Sequence, residues 1–283
     1  MGDVCPVIVQ TLRSSLRMFG TAIANAQRLD VFFATQFNIA MRREISSWWS
    51  PHLDRTMEIV SYGHYGQAIL LFPSAAADYL EYERFHLIES IAPYINAGRV
   101  KVYSINSINS ESWLNDKLHG RQKIVRHLQY NNYIVDEVVP FIHRDCDGLT
   151  SIITAGVSLG AFHAANTLFR RPDVFDGVIA MSGIYDLKSY SKGYFDEDCY
   201  FNSPLDYMAN IHDPYWLRHL QSKHHIMFLS GRGSYEDPEA SVAMGRILTA
   251  KGIPHEIDLW GWEWTHDWPT WRAMLPNVIA RRF

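Results

Sequence analysis

The 283-residue sequence predicts an α/β domain built on a doubly wound, mainly parallel sheet flanked by helices, with a small aromatic-rich excursion late in the chain. Three observations predict it. Short apolar runs recur at residues 68–72 (AILLF), 152–153 and 178–181, the signature of strands buried on both faces. Longer helical stretches separate them, and that alternation is the pattern of parallel βαβ units. Third, the stretch from Leu149, LTSIITAGVSLGAFHAANTLFRRPDVFDGVIAMSGIYDL, runs from a strand through Gly156-Val157-Ser158-Leu159-Gly160 into an Ala-rich helix over 161–170, then into a second strand.

Composition bounds the rest. With 47% hydrophobic and 20% charged residues, the chain has ample core for one large domain. A net charge of -4 is the wrong sign for a surface that neutralises phosphates, so no nucleic-acid partner is expected. The three cysteines, Cys5, Cys146 and Cys199, form no C-x-x-C pair and read as free thiols in a reducing, cytoplasmic compartment. No stretch has the ~18 unbroken apolar residues that point to a membrane span.

In chain order, residues 1–44 stand apart. Leu12, Leu16, Phe19, Ile23 and Ala26 recur at helical spacing, and Arg13, Arg17 and Arg28 outnumber the acids Asp3 and Asp30. An apolar h-region followed by a small-residue cleavage site is lacking, so the expectation is a helical or poorly ordered extension, not a targeting segment. The regular domain is expected over 45–283. Leu53, Arg55, Met57 and Ile59 alternate as in a strand, and the turn at 62–66 leads to the buried strand 68–72. The loop Pro73-Ser74-Ala75-Ala76-Ala77-Asp78 follows, then a helix over 79–96 closed by Gly98, a strand over 99–105 and a polar loop over 106–112. A long helix over 116–143 leads to the segment that begins at Leu149.

Beyond that segment, residues 190–219 carry Tyr194, Phe195, Tyr200, Phe201, Tyr207, Tyr215 and Trp216, either as a small cap that shapes a pocket or as a packed surface excursion. A strand over 225–230 precedes Gly231-Arg232-Gly233-Ser234-Tyr235-Glu236-Asp237-Pro238, which lacks both the third glycine of a dinucleotide fingerprint and the lysine of a P-loop. A helix over 239–251, a strand over 255–260, an aromatic turn over 261–269 and a closing helix over 270–281 end the chain.

Strand, G-x-S-x-G and helix in succession are the context of a nucleophile elbow. By composition alone the pentapeptide arises by chance in roughly one chain of this size in ten, so the flanking elements carry the reading. A serine on such a turn is held in a strained conformation, and a Cβ at either flanking glycine would strike the neighbouring strand or helix. Leu159 opens the helix, so its unpaired N–H is a candidate oxyanion donor; Ser74 or Ala75, just past a buried strand, would supply the second. The base must lie downstream, after a strand. Of thirteen histidines only His255 and His266 lie beyond the acid loop; His255 starts a strand at the wrong end of the sheet, whereas His266 follows the last one. Glu236 is the preferred acid and Asp237 the alternative; both also read as acids stabilising a helix N-terminus, with Asp237 as its cap, and Glu239 is already on the helix. Asp267, adjacent to the base, reads as the cap of the closing helix. No cluster at metal-ligand spacing is visible, and neither metal nor cofactor is expected.

GVSLGAFHAANTLFRRPDVFDGVIAMSGIYDL, SGRGSYEDPEAS and THDWPTW together resemble the putative-esterase branch of the α/β-hydrolases, which includes esterase D type enzymes, feruloyl esterases and mycolyltransferases. The likeness covers about residues 45–283. It implies an α/β-hydrolase fold and a serine carboxylic-ester hydrolase acting on a small-molecule ester, with Ser158 as nucleophile, His266 as base and a carboxylate of the Glu236-Asp237 pair as acid. One departure is PSAAAD, where relatives commonly carry glycine. An acyltransferase using the same triad, or a non-catalytic binding module on the same fold, are the alternatives. Trp262, Trp264, Trp268 and Trp271 read either as walls of an aromatic pocket or as core.

Overall fold

Eight strands form one sheet in a computed structural model that describes residues 41–283. The helix expected within 1–44, and Cys5, lie outside the described residues. The strands are β1 (Arg43–Ser50), β2 (Arg55–Tyr62), β3 (Gln67–Phe72), β4 (Val100–Ile105), β5 (Ile152–Val157), β6 (Gly177–Met181), β7 (His225–Ser230) and β8 (Glu256–Leu259), in the order β1-β2-β4-β3-β5-β6-β7-β8. From β4 to β8 all neighbours are parallel, while β1 and β2 pair antiparallel with each other and β2 with β4. This is the α/β-hydrolase fold, a mainly parallel sheet flanked by helices.

The helices longer than a single turn are α1 (Leu87–Asn96), α2 (Gly120–Tyr133), α3 (Val139–Asp145), α4 (Leu159–Arg170), α5 (Pro214–Gln221), α6 (Pro238–Ala250) and α7 (Trp268–Arg282). Strand β3 shows why the central runs are apolar throughout. Leu70 and Phe72 join one core, with Ala161, Ala165 and Leu168 of α4 and Met244 and Leu248 of α6. Ile69 and Leu71 join the other, with Ile91 and Ile95 of α1 and Met274 and Val278 of α7. Successive side chains point to opposite faces, and both faces are covered.

Three segments depart from the sequence expectation. The helix expected over 79–96 is split: a single turn, Glu81–Arg84, precedes His86 in left-handed backbone (φ 60), and α1 starts only at Leu87. The helix expected over 116–143 starts at Gly120, widens into a π turn at Ile134–Val138 and continues as α3. Pro140 has no N–H to donate into the α ladder there, and a wider turn absorbs the gap. β1 was not anticipated, because Arg43, Glu44, Ser46 and Ser47 give an edge strand little apolar character; its pairing with β2 from Arg43↔Tyr62 to Ser50↔Arg55 creates it.

Parallel strands put the loops that follow β3, β5, β6, β7 and β8 at one edge of the sheet. The glycines around Ser158 let two of those loops meet. A Cβ on Gly160 would run into the carbonyls of Phe72 and Pro73, and one on Gly156 into the backbone of Gly160 and Ala161. Both obstacles are main chain and cannot swing aside. Gly160→Ala is therefore expected to destabilise the fold by about 2–3 kcal/mol, read as a lower midpoint of chemical unfolding.

Candidate active site

β5 ends at Val157, and α4 begins at Leu159, so the whole change of direction falls on Ser158. Its backbone lies at φ 55, ψ -125, a region that a side chain disfavours by roughly 1–3 kcal/mol. The bend is held from both sides. Ser158 N–H donates to Met181 O at 3.0 Å, and the buried Tyr82 hydroxyl bridges strand ends, accepting from Val157 N at 3.2 Å and donating to Phe72 O at 2.6 Å. Glycine tolerates this conformation, so Ser158→Gly should be more stable than Ser158→Ala by about 1–2 kcal/mol in urea unfolding.

His266 lies in the loop between β8 and α7, and its Nε2 is 2.9 Å from Ser158 Oγ. That loop is zipped to the one after β7 by Arg232 N–H to Gly261 O at 3.2 Å, Gly233 N–H to Trp264 O at 2.9 Å and His266 N–H to Ser234 O at 3.1 Å. A Cβ on Gly231 or Gly233 would strike the Trp264 carbonyl. The G-x-G, which does not complete a nucleotide motif, thus serves loop-to-loop contact.

The zipper carries Glu236 to the far side of the imidazole. Its side chain has no exposed surface, and Oε2 lies 3.8 Å from His266 Nδ1, within electrostatic range but longer than a direct hydrogen bond. Ser182 Oγ donates to Oε1 at 2.6 Å and Ser230 Oγ to Oε2 at 2.9 Å. Burial pushes the carboxyl pKa up, but attraction to His266 and the two hydroxyls outweighs it, and the result lies below the usual value. Trp271 Nε1–H donates to Ser182 Oγ at 2.9 Å, and its ring meets His266 edge to face at 5.2 Å.

Asp237 makes no ion pair with His266 among the described residues, nor does its side chain cap α6 as expected. Asp267 does cap α7, accepting from Trp268 N–H at 2.7 Å. His255 stays at the other end of β8, its Nδ1 2.8 Å from Ile253 O.

Of the candidate donors, the Leu159 and Ala75 N–H groups have no acceptor among the described residues, whereas the Ser74 N–H has one. Ser74 N–H and hydroxyl both donate to the buried Glu81 carboxylate, at 2.7 Å and 2.5 Å, so that N–H is already committed. Burial raises the Glu81 pKa, and the bonds from Ser74 offset only part of that. Sequence reasoning missed Ser182, Ser230, Tyr82 and Glu81; the first two end or follow strands at the edge where His266 was sought, the one signal available. The four tryptophans do not form one wall: Trp271 is core, Trp268 stacks on Phe85 at 4.4 Å, Trp264 packs on Trp260 and Trp262 is exposed.

In the excursion, Tyr190, Tyr194 and Cys199 pack with Trp113, Ile124, Leu159 and Phe162, directly behind the start of α4. Among the described residues no group of three or more His, Cys, Asp or Glu side chains could hold a metal ion, and no helix is long and apolar enough to cross a membrane.

The sequence model of the family described as "Putative esterase" matches residues 106–281, more than half of the chain. The chain belongs to this esterase family. The match spans Ser158, Glu236 and His266 but begins after the loop that holds Ser74 and Ala75. Among curated proteins none matches the esterase's sequence. A ferulic acid esterase is similar in structure at TM-score 0.68 and 16% identity, over 86% of this chain and 99% of that one. An S-formylglutathione hydrolase from Agrobacterium tumefaciens is similar at TM-score 0.67 and 10% identity, over 87% and 96% of the two chains. The S-formylglutathione hydrolase of Staphylococcus aureus gives TM-score 0.61 and 16% identity, over 85% and 98%. At such identities these likenesses show the fold, while family membership makes the enzyme an esterase that hydrolyses carboxylic esters of small molecules.

Proposed function

We propose that the esterase works as a serine hydrolase through an acyl-serine intermediate, with Ser158 as nucleophile, His266 as general base and acid, and Glu236 as the carboxylate that orients the imidazole. The 2.9 Å approach of His266 Nε2 to Ser158 Oγ carries the reading, because a hydroxyl becomes a useful nucleophile only with a base in hydrogen-bond reach. As Oγ attacks the ester carbonyl, its proton passes to Nε2, and the new imidazolium is stabilised by Glu236 behind it. The carbonyl oxygen becomes an alkoxide, held by the Leu159 and Ala75 N–H groups, each worth roughly 3 kcal/mol of barrier. His266 then protonates the leaving alcohol, and water repeats the sequence to release the acid.

Support for Glu236 over Asp237 is its place beside Nδ1 and the two serine hydroxyls that hold it. The packing of residues 190–199 behind Leu159 supports a role for the excursion in shaping the site, and the free thiols of Cys146 and Cys199 support a cytoplasmic location. The test is hydrolysis of p-nitrophenyl esters from acetate to dodecanoate by wild type and Ser158→Ala in parallel. Activity in the wild type alone is expected, and its chain-length optimum sizes the acyl site. Turnover by a folded Ser158→Ala protein would falsify the mechanism.

A further inference from the structure

The Ala75 N–H sits in a loop fixed on every other side. The Ser74 N–H is committed to Glu81, Ser74 O accepts from Ala77 N at 3.1 Å, and Ala75 O accepts from Asn109 Nδ2 at 2.6 Å and Ser107 Oγ at 3.1 Å. Ala75 itself is in left-handed backbone (φ 37), which a non-glycine residue keeps only where its surroundings over-determine it. Asn109, fully buried, gives the shorter of the two bonds to the Ala75 carbonyl. Its amide nitrogen gives to a carbonyl, so its Oδ1 must accept, and the partner at 2.9 Å is Nε2 of His163.

His163 lies on α4, the helix whose first N–H is that of Leu159. It is buried among the rings of Phe72, Tyr130 and Phe162, where an apolar side chain would satisfy packing without the cost of burying a polar ring. Burial pushes its pKa down to about 3, so the ring is neutral and its one proton sits on Nε2.

We infer that Asn109 and His163 form a positioning relay that aims the Ala75 N–H at the oxygen where Leu159 N–H also points, tying both donors to the frame of α4. The inference rests on the serine mechanism proposed above and on Ala75 as its second donor. Neither residue touches substrate; they act through the Ala75 backbone.

The experiment measures kcat and KM for p-nitrophenyl acetate, inhibition by an alkyl trifluoromethyl ketone and the unfolding midpoint, in Asn109→Ala, His163→Leu, His163→Gln, His163→Asn and Ser158→Ala. The ketone adds to a serine hydroxyl to give a tetrahedral oxyanion, so its affinity reads donor alignment, which a loss of fold stability alone does not move. Asn109→Ala and His163→Leu should lower kcat about 10- to 100-fold, weaken the ketone by a similar factor and leave KM within about threefold. His163→Gln places an amide N–H near the position of Nε2 and should recover most of kcat, whereas the shorter His163→Asn should not. Unchanged kcat in folded Asn109→Ala, a loss confined to KM, or unchanged ketone affinity overturns the relay. If Asn109→Ala or His163→Leu fails to fold, equal kcat in His163→Gln and His163→Asn overturns it. Hydrolysis that survives Ser158→Ala removes the serine mechanism and the relay with it; Ser158-dependent hydrolysis indifferent to positions 109 and 163 removes the relay alone.

Discussion

Ser158→Ala is expected to lower kcat at least about ten-thousand-fold while leaving the unfolding midpoint nearly unchanged. Catalysis would lose its attacking oxygen, yet the folded structure would lose only the contact between Oγ and His266 Nε2 at 2.9 Å, at a half-buried position. The strained backbone is the same with alanine, so nothing is relieved either. His266→Ala should cost a similar factor, because a hydroxyl without its base attacks only at the rate of an ordinary alcohol. The two losses should not multiply. In the proposed mechanism serine and base act as one unit, so the double variant should retain whatever rate the proposed Leu159 and Ala75 donors and substrate binding give alone. Steady-state kinetics on the two single variants and the double variant, with fluorophosphonate labelling of each, checks this. Multiplied losses would show that the two side chains act independently, contrary to the proposed proton transfer.

Glu236→Gln is expected to cost about a thousand- to ten-thousand-fold in kcat with KM little changed. The amide fills the same space and can still accept from Ser182 or Ser230. It carries no charge to stabilise an imidazolium, and its NH2 group can turn the histidine tautomer the wrong way. The same substitution removes a pH dependence of stability. Because the native carboxyl lies below its ordinary value, the unfolded chain binds that proton more tightly, and stability rises with pH through this interval. Glu236 thus contributes stability fully above the ordinary carboxylate pKa of about 4.5 and loses it as pH falls through the lower native value. Urea midpoints from pH 6 down to pH 3 should fall less steeply in Glu236→Gln than in wild type, and parallel curves would contradict the assignment of a charged, hydrogen-bonded carboxylate.

The legible parts of the site share one property: each depends on a short local pattern. Ser158 is marked by the glycines its turn requires, and His266 by position after the last strand. Glu236 was harder, since an acid before a helix equally suits the dipole; what separates it from Asp237 is the pair of hydroxyls from Ser182 and Ser230, one of them 54 residues away in the chain. The breaks at His86 and Pro140 were missed because a lone residue within a helical pattern carries little weight until its neighbours pack.

The sequence by itself determined the strand–helix alternation, the edge of the sheet where loops gather and the choice of Ser158 and His266 as candidates, because hydrophobic period and turn chemistry act over a few residues. Only the tertiary structure decided which N–H groups are free to meet an oxyanion. Ser74 and Ala75 are equivalent on paper. Glu81 takes the Ser74 N–H from a helical turn seven residues on, within the same loop, while Asn109 holds the Ala75 carbonyl from thirty-four residues away, a partnership that exists only once separate loops are folded against one another.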